Sequence, residues 1–168
     1  MTPPTDPSLL ALVRDRAPAA AVSQPPEALP RLARQSGVRA VVFDVYGTLF
    51  SSGVGDISLA ASEDRDLHLR RCLRDNGIFP SAPDDHRFDH AFHQRIREHQ
   101  EDRKRSGVRY PEVDIRLVWR DFLTQQKAEH RIDMLEAPDI ERIAIDYESR
   151  INPTQPMPGL AETLRRLV

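Results

Sequence analysis

The chain has 168 residues, of which 39% are hydrophobic and 30% charged, a composition that fits a helix-leaning globular domain and excludes a disordered one. Its 24 basic and 26 acidic residues nearly cancel, to a net charge of −2, so we expect no nucleic-acid partner. No apolar run approaches the length of a membrane span, so we expect no membrane partner either. One cysteine and the lack of a signal-peptide pattern predict a cytoplasmic protein.

Residues 1–37 form the first region, a proline-rich N-terminal arm. Half of the prolines, 7 of 14, lie in the first 30 residues and prevent a long helix there. One short helix fits from Ser8 to Arg16. Its apolar side would carry Leu9, Leu10, Leu12 and Val13.

One strand and then a series of helices follow the arm. Consecutive apolar residues predict a strand over residues 38–45, of the kind that is covered on both faces in a parallel sheet. Amphipathic patterns predict helices from Ser62, from Asp84 or Asp85, after Pro111 and from Asp139, and a last helix after a loop at residues 152–159. Because a lone strand needs neighbours, either it pairs with other molecules or the sheet lies in sequence beyond Val168, and the end of the sequence within a predicted helix favours the second.

Asp44 stands near the end of the predicted strand, in the stretch AVVFDVYGTLF. Open α/β folds bind their ligands at this end of their strands. A carboxylate there could act as a nucleophile and form an ester that water later cleaves. Gly47 permits a sharp turn, and Thr48 can hydrogen-bond the carboxylate or nearby backbone. The alternative is that Asp44 only caps the turn.

The residues FDVYGTLF, preceded by Val41 and Val42, resemble motif I of the haloacid dehalogenase superfamily, hydrolases with an aspartate nucleophile. The segment PMPGLAETLRRL resembles the return from the helical cap of these enzymes to their core. The resemblance implies an α/β fold, a Rossmann-type core with an inserted helical cap, of which this chain would be mostly α with one core strand. Residues 38–56 would begin the core, 57–152 would form the cap, and 153–168 would begin the incomplete return segment.

The resemblance also implies roles for the residues of the motif. Asp44 would be the nucleophile, supported by Thr48, and Gly47 would shape the pocket for a small anionic substrate. Typical phosphatases of the family have a second aspartate, a general acid and base, where this chain has Tyr46. The pattern D-x-Y-G-T is similar to the dehalogenase branch, whose halide leaving group needs no proton. No cofactor is implied except Mg²⁺ in a phosphatase-like member, held by Asp44 and the Tyr46 backbone carbonyl.

The family's later motifs are a Ser or Thr, a Lys or Arg and an acidic loop, which follow the return segment. The expectation is therefore a truncated family member that is inactive, or nearly so, alone. A second class of function stays open, a non-catalytic helical cap or interaction remnant. Neither the choice between dehalogenase and phosphatase nor the oligomeric state follows from the sequence.

Two further features of the sequence are explained by their place in the fold rather than by a metal site or a catalytic role. His86, His90 and His93 have a spacing that could bind zinc, but a solvated helix face is the favoured interpretation. Cys72, between Leu69 and Leu73, is predicted to be a small buried residue rather than a nucleophile.

Overall fold

The computed structural model describes residues 7–16, 36–52, 62–82 and 85–167, and it is mostly helical, as predicted. No helix in these ranges is long and apolar enough to cross a membrane. The elements are α1 (Pro7–Arg16), β1 (Phe50–Ser52), α2 (Ser62–Asp75), β2 (Ile78–Pro80), α3 (Phe88–Arg105), α4 (Ile115–Ala128), β3 (Ile132–Met134), α5 (Ile140–Ile151), β4 (Thr154–Pro156) and α6 (Leu160–Leu167).

An aromatic cluster forms the centre of the core between α3, α4 and α5. The Phe92 ring lies 4.4 Å from the Trp119 ring and 5.6 Å from the Tyr147 ring, centroid to centroid. All three side chains are at most 4% exposed. The amphipathic pattern predicted for α4 is confirmed for Trp119 and its apolar neighbours one turn away, whereas Ile115 at the helix start stays 40% exposed. The helical region therefore has a core of its own.

Two helices begin at aspartates that cap them, and one does not. The side chains of Asp114 and Asp139 accept hydrogen bonds from backbone amides in the first turns of α4 and α5. The predicted start of α3 at Asp84 or Asp85 is wrong. This helix begins at Phe88, and the carboxylate of Asp66 in α2 accepts a 3.1 Å bond from the Asp89 amide. A cap supplied by another helix leaves no local sequence signal.

Two pairs of short antiparallel strands connect the helices. Strand β2 pairs with β3, and β1 pairs with β4, each over three residues. Ile78 and Ile132 point from β2 and β3 into the core, where each is 1% exposed. Part of the loop expected at residues 152–159 is therefore the strand β4. Three-residue strands are too short to show an alternating pattern in sequence.

The strand predicted over residues 38–45 does not form. Residues 38–44 have no regular secondary structure, and Val42 is 96% exposed. The physical reason is the lack of a neighbour, since a strand needs a partner for its backbone hydrogen bonds and the described ranges place none beside it. Residues 1–6 and 17–35 of the proline-rich arm, Asp84 and the connection at residues 53–61 lie outside the described residues.

The predicted helix at Ser8 to Arg16 is confirmed as α1, which packs on α5 through an ion-pair network. Leu12 is its buried residue, at 9% exposure. The Arg16 guanidinium donates to Asp146 of α5 at 3.0 Å and to Asp75 of α2 at 3.2 Å. Arg150 and the Asn76 amide also donate to Asp146, which is 1% exposed. Asp146 thus joins three helices.

Cys72 is fully buried, as predicted, and burial raises the pKa of its thiol.

The prediction of a solvated face for the three histidines is correct only for His90, whose side chain is exposed. His86 is half-buried and bonds Gln126 at 3.0 Å, and burial lowers the pKa of His93. The described residues contain no group of three metal-binding side chains.

Removing the charge of Asp146 should reveal what its network contributes to stability. Burial alone would raise the pKa of Asp146, but the hydrogen bonds and charge of Arg150 and then Arg16 outweigh it, so the pKa lies below its usual value. This stabilisation is present above the unfolded-state pKa of about 4 and is lost as pH falls through the lowered pKa.

We therefore expect Asp146→Asn to lower the free energy of unfolding by about 3 kcal/mol at pH 7, because Arg16 and Arg150 each lose the buried one of their two carboxylate partners and keep only Asp75. The difference from wild type should shrink between about pH 5 and pH 2 in urea denaturation curves. Asp133→Asn, at an exposed position, is the control and should change stability by less than about 0.5 kcal/mol. Parallel pH profiles for wild type and Asp146→Asn would contradict this account.

Candidate functional site

The turn after Asp44 is closed by its own backbone. The amides of Leu49 and Phe50 both donate to the Val45 carbonyl at 2.9 Å, and the Gly47 amide donates back to the Phe50 carbonyl at 2.7 Å. Gly47 has a φ of +83°, in the left-handed region that side chains other than glycine's disfavour. The turn predicted from Gly47 is confirmed, and its conformation depends on that residue.

Asp44 precedes this turn and Thr48 lies within it, and their side chains form no hydrogen bond with one another. Both side chains are exposed. In the described part of the chain the Asp44 carboxylate has no hydrogen bond or ion pair, and Thr48 does not donate to it. The bond expected from Thr48 to the carboxylate is therefore not formed here. The structure leaves the carboxylate open to solvent, where an incoming molecule can reach it.

Strand β4 holds the turn from the other side. Ser51 pairs with Gln155 at the middle of the β1–β4 ladder, and the Ser51 hydroxyl donates to the Gln155 carbonyl at 3.3 Å. One residue beyond the ladder, the Met157 amide donates to the Leu49 carbonyl at 2.9 Å. These bonds fasten the residues after Asp44 to the chain that leaves α5. Sequence reasoning missed the ladder because each strand is only three residues long.

A cavity of about 520 Å³ adjoins the turn, between α1, the start of α4, α5 and the start of β4. Tyr46 forms part of its wall, although the Tyr46 side chain is also 59% exposed. Asp44, Gly47 and Thr48 are not among the lining residues. Of the four site residues predicted from sequence, the structure therefore brings Tyr46 to the cavity and keeps the other three at the turn beside it.

Sequence reasoning missed the polar groups of this cavity. Asn152 ends α5, is 8% exposed, and donates from Nδ2 to the Glu148 carboxylate at 2.9 Å. Its Oδ1 has no hydrogen-bond partner within the part of the chain that the structure describes. The Asn152-Pro153 pair was visible only as a helix end, since proline after a helix is a common stop signal. Nothing in that pattern distinguishes a buried asparagine from an exposed one.

Asp44 and the Tyr46 carbonyl do not form a Mg²⁺ site by themselves. Mg²⁺ is bound in octahedral geometry by oxygen ligands, commonly one or two carboxylates with water and substrate phosphates. These two residues would supply two oxygen donors, and water and substrate would have to supply the remaining ligands. The described residues contain no group of three metal-binding side chains that could hold the ion without them.

Replacing Gly47 tests how the turn is held. No atom within 4 Å would meet an added Cβ, so Gly47→Ala changes only the backbone preference. Left-handed backbone costs alanine about 1–2 kcal/mol, so we expect amide hydrogen exchange at Phe50 and Met157 to speed up roughly 5- to 30-fold. Gly47→Asn should have a smaller effect, because asparagine tolerates this region. Unchanged exchange in Gly47→Ala would show that the turn does not need glycine.

Comparison with known proteins gives the family. A family model described as haloacid dehalogenase-like hydrolase matches residues 38–168, which include the turn, both strand pairs and helices α2 to α6. No curated protein and no solved structure matches the chain. The family match covers most of the chain and contains both segments on which the resemblance depends, so the predicted fold class is confirmed. The chain belongs to the haloacid dehalogenase-like hydrolases.

Proposed function

We propose that this chain carries the nucleophile of a hydrolase, Asp44, which acts through an aspartyl ester on a small anionic substrate. The observation that supports this most is the attachment of the motif turn to β4, with Tyr46 in the wall of a cavity. The nucleophile thus stands two residues from a pocket large enough for a small molecule. Family membership gives the reaction class, hydrolysis.

The proposed reaction has two steps. One Asp44 carboxylate oxygen attacks the carbon that bears a halogen, the new C–O bond forms, and the halide leaves with the electrons of the broken bond. Water then attacks the carbonyl carbon of the ester, the acyl C–O bond to the substrate breaks, and the hydroxy acid leaves with one proton of the water. The other proton passes to solvent, and the Asp44 carboxylate is restored. With a phosphate ester the attack is on phosphorus, and the leaving alkoxide must gain a proton. The exposed position of the carboxylate leaves it free to attack.

Tyr46 favours the halide as leaving group. A tyrosine hydroxyl has an ordinary pKa of about 10 and is a poor general base near neutral pH, unlike the aspartate of typical family phosphatases. A halide leaves without a proton, so the reaction with a halogenated acid does not need that aspartate. We therefore propose a small halogenated acid ahead of a phosphate ester as the substrate.

The Asp44 carboxylate has no cationic partner in the described part of the chain, and this affects the expected rate of the proposed reaction. Groups that stabilise developing negative charge commonly supply the largest share of an enzyme's acceleration. Among the described residues no Arg or Lys pairs with Asp44. We predict that residues 1–168 alone turn over substrate slowly. A single-turnover measurement of ester formation on Asp44 is the suitable test.

A non-catalytic helical module is the second candidate, because the core of the helical region is independent of the motif. The buried hydrophobic cluster runs from Leu69 to Tyr147 and includes no residue of 38–50. A domain of this kind can fold and bind a partner without Asp44. The ester measurement distinguishes the two candidates, since only the hydrolase modifies Asp44.

Mass spectrometry of the peptide that contains Asp44 tests the nucleophile. After incubation with 2-chloropropionate we expect an ester on Asp44 and released chloride, because the carboxylate displaces the halide. Asp44→Asn should remove both signals. Asp133→Asn, the exposed control, should keep both. An ester on another carboxylate, or none at any incubation time, would contradict the hydrolase proposal and favour the helical module.

Tyr46→Asp tests the choice of leaving group. A second carboxylic acid at this position could protonate a leaving alkoxide, and general acid catalysis is worth roughly 100-fold or more. We expect phosphoryl transfer to Asp44 from an alkyl phosphate such as glycerol 2-phosphate, whose alkoxide leaving group needs a proton, to rise at least about tenfold relative to ester formation from 2-chloropropionate. Tyr46→Phe is the control and should leave that ratio unchanged. A ratio that stays constant in Tyr46→Asp would show that this position does not select the leaving group.

A further inference from the structure

A second groove lies on the helical region, and no residue of the motif turn lines it. It has a volume of about 520 Å³ and runs between α4 on one side and β3 with the start of α5 on the other. It shares no lining residue with the cavity beside Tyr46. Its volume lies in the range of pockets that bind small molecules. A binding role for this groove therefore does not depend on the proposed function.

Most of the groove surface is apolar. Leu123 of α4 is 2% exposed and belongs to the buried core, and Met134 and Ile140 pack partly buried against the same core. Pro138 adds further apolar surface, and Thr124 adds one hydroxyl. A ligand's apolar chain laid in the groove would remove these side chains from water, which is favourable.

Two cations of α4 border this apolar surface. Arg120 and Lys127 both line the groove, and both are exposed. They are separated by about two helical turns, so they share one face of α4, with Leu123 and Thr124 between them. Long basic side chains lay their stems along apolar surface and keep their charged ends in water. The two charges therefore stand at the rim of the groove.

No acid compensates either cation in the described part of the chain. No aspartate or glutamate is among the described residues that line the groove. Asp121 is paired with His99 at 2.8 Å, and Asp139 accepts a bond from the first turn of α5. Glu136, in the loop after β3, forms no ion pair with either cation. An anion in the groove would therefore meet two cations that no described carboxylate already neutralises.

We propose that this groove binds an amphipathic anion, a small molecule with an apolar chain and a carboxylate or phosphate head group. The chain lies on Leu123, Met134 and Ile140. The head group pairs with Arg120 or Lys127, because both cations attract an oxyanion and repel an amine. A guanidinium can also hold either kind of head group through two parallel hydrogen bonds. The groove is thus a second ligand site, separate from the substrate site proposed beside Asp44.

Titration with octanoate, octyl phosphate and octan-1-ol is the first test, with NMR of the methionine methyl groups as the readout. We expect both anions to shift the Met134 signal. The alcohol is more hydrophobic but uncharged, so it should bind at least about fivefold more weakly than octanoate. Binding of only one anion would support the proposal and identify the head group. Alcohol binding as tight as that of octanoate, no Met134 shift with either anion, or shifts confined to Met157 would overturn it.

Paired charge variants separate the two cations from the charge of the whole protein. Arg120→Gln combined with Lys127→Gln should remove the preference for octanoate over octan-1-ol, because no cation remains at the rim. Arg97→Gln combined with Lys104→Gln removes the same charge from exposed positions on α3 and should keep the preference. In the wild type the preference should shrink in about 1 M NaCl, since salt screens exposed charges. A wild-type preference in the α4 double variant would overturn the role of the two cations.

Matched tryptophan variants on α4 locate the ligand. Thr124→Trp places a large ring in the groove and should weaken octanoate binding at least about tenfold. Leu117→Trp, on the same helix but outside the groove lining, should leave the affinity unchanged. Both positions are exposed, which limits the effect on folding. Wild-type affinity for octanoate in Thr124→Trp would show that the ligand does not lie in this groove.

Discussion

The antiparallel ladder between β1 and β4 is the contact on which the arrangement of the site depends. It joins two segments about a hundred residues apart in sequence, the one just after Asp44 and the one just after α5. The Leu49 carbonyl and the Met157 amide extend it by one bond toward the turn. Such a ladder fixes register and distance at once, so Tyr46 lies beside the end of α5. Without these bonds, no backbone hydrogen bond among the described residues would join the motif to the helical region.

The helical core and the motif turn are stabilised in different ways. The core depends on buried aromatic and aliphatic surface around Trp119, which is independent of Asp44. The turn depends on a few backbone bonds and on one glycine with a positive φ. Local stability follows the amount of buried surface, so the turn is expected to open more readily than the core. A reacting carboxylate on such a turn can adjust to a substrate while the helices behind it stay fixed.

Much of this architecture was predictable from the sequence. The amphipathic pattern around Trp119 predicted α4, and Asp139 correctly marked the start of α5. Asp44, Tyr46 and Gly47 were identifiable because the pattern D-x-Y-G-T after a run of apolar residues resembles a motif of the family that the chain belongs to. The prediction of a strand at residues 38–45 was wrong, because apolar composition indicates burial but cannot supply a neighbouring strand. Short strands, the cap that Asp66 gives to α3, and the packing of α1 on α5 depend on tertiary contacts, which no local pattern encodes.

Nuclear Overhauser effects between backbone protons of β1 and β4 test the central claim most directly, that this ladder holds the turn after Asp44 against the helical region. The structure predicts cross-strand contacts that pair Phe50 with Pro156, Ser51 with Gln155 and Ser52 with Thr154. A further contact should join the Met157 amide proton to residues near Leu49. Absence of these contacts, or a register shifted by one residue, would contradict the account, because Tyr46 would then no longer be held at the cavity.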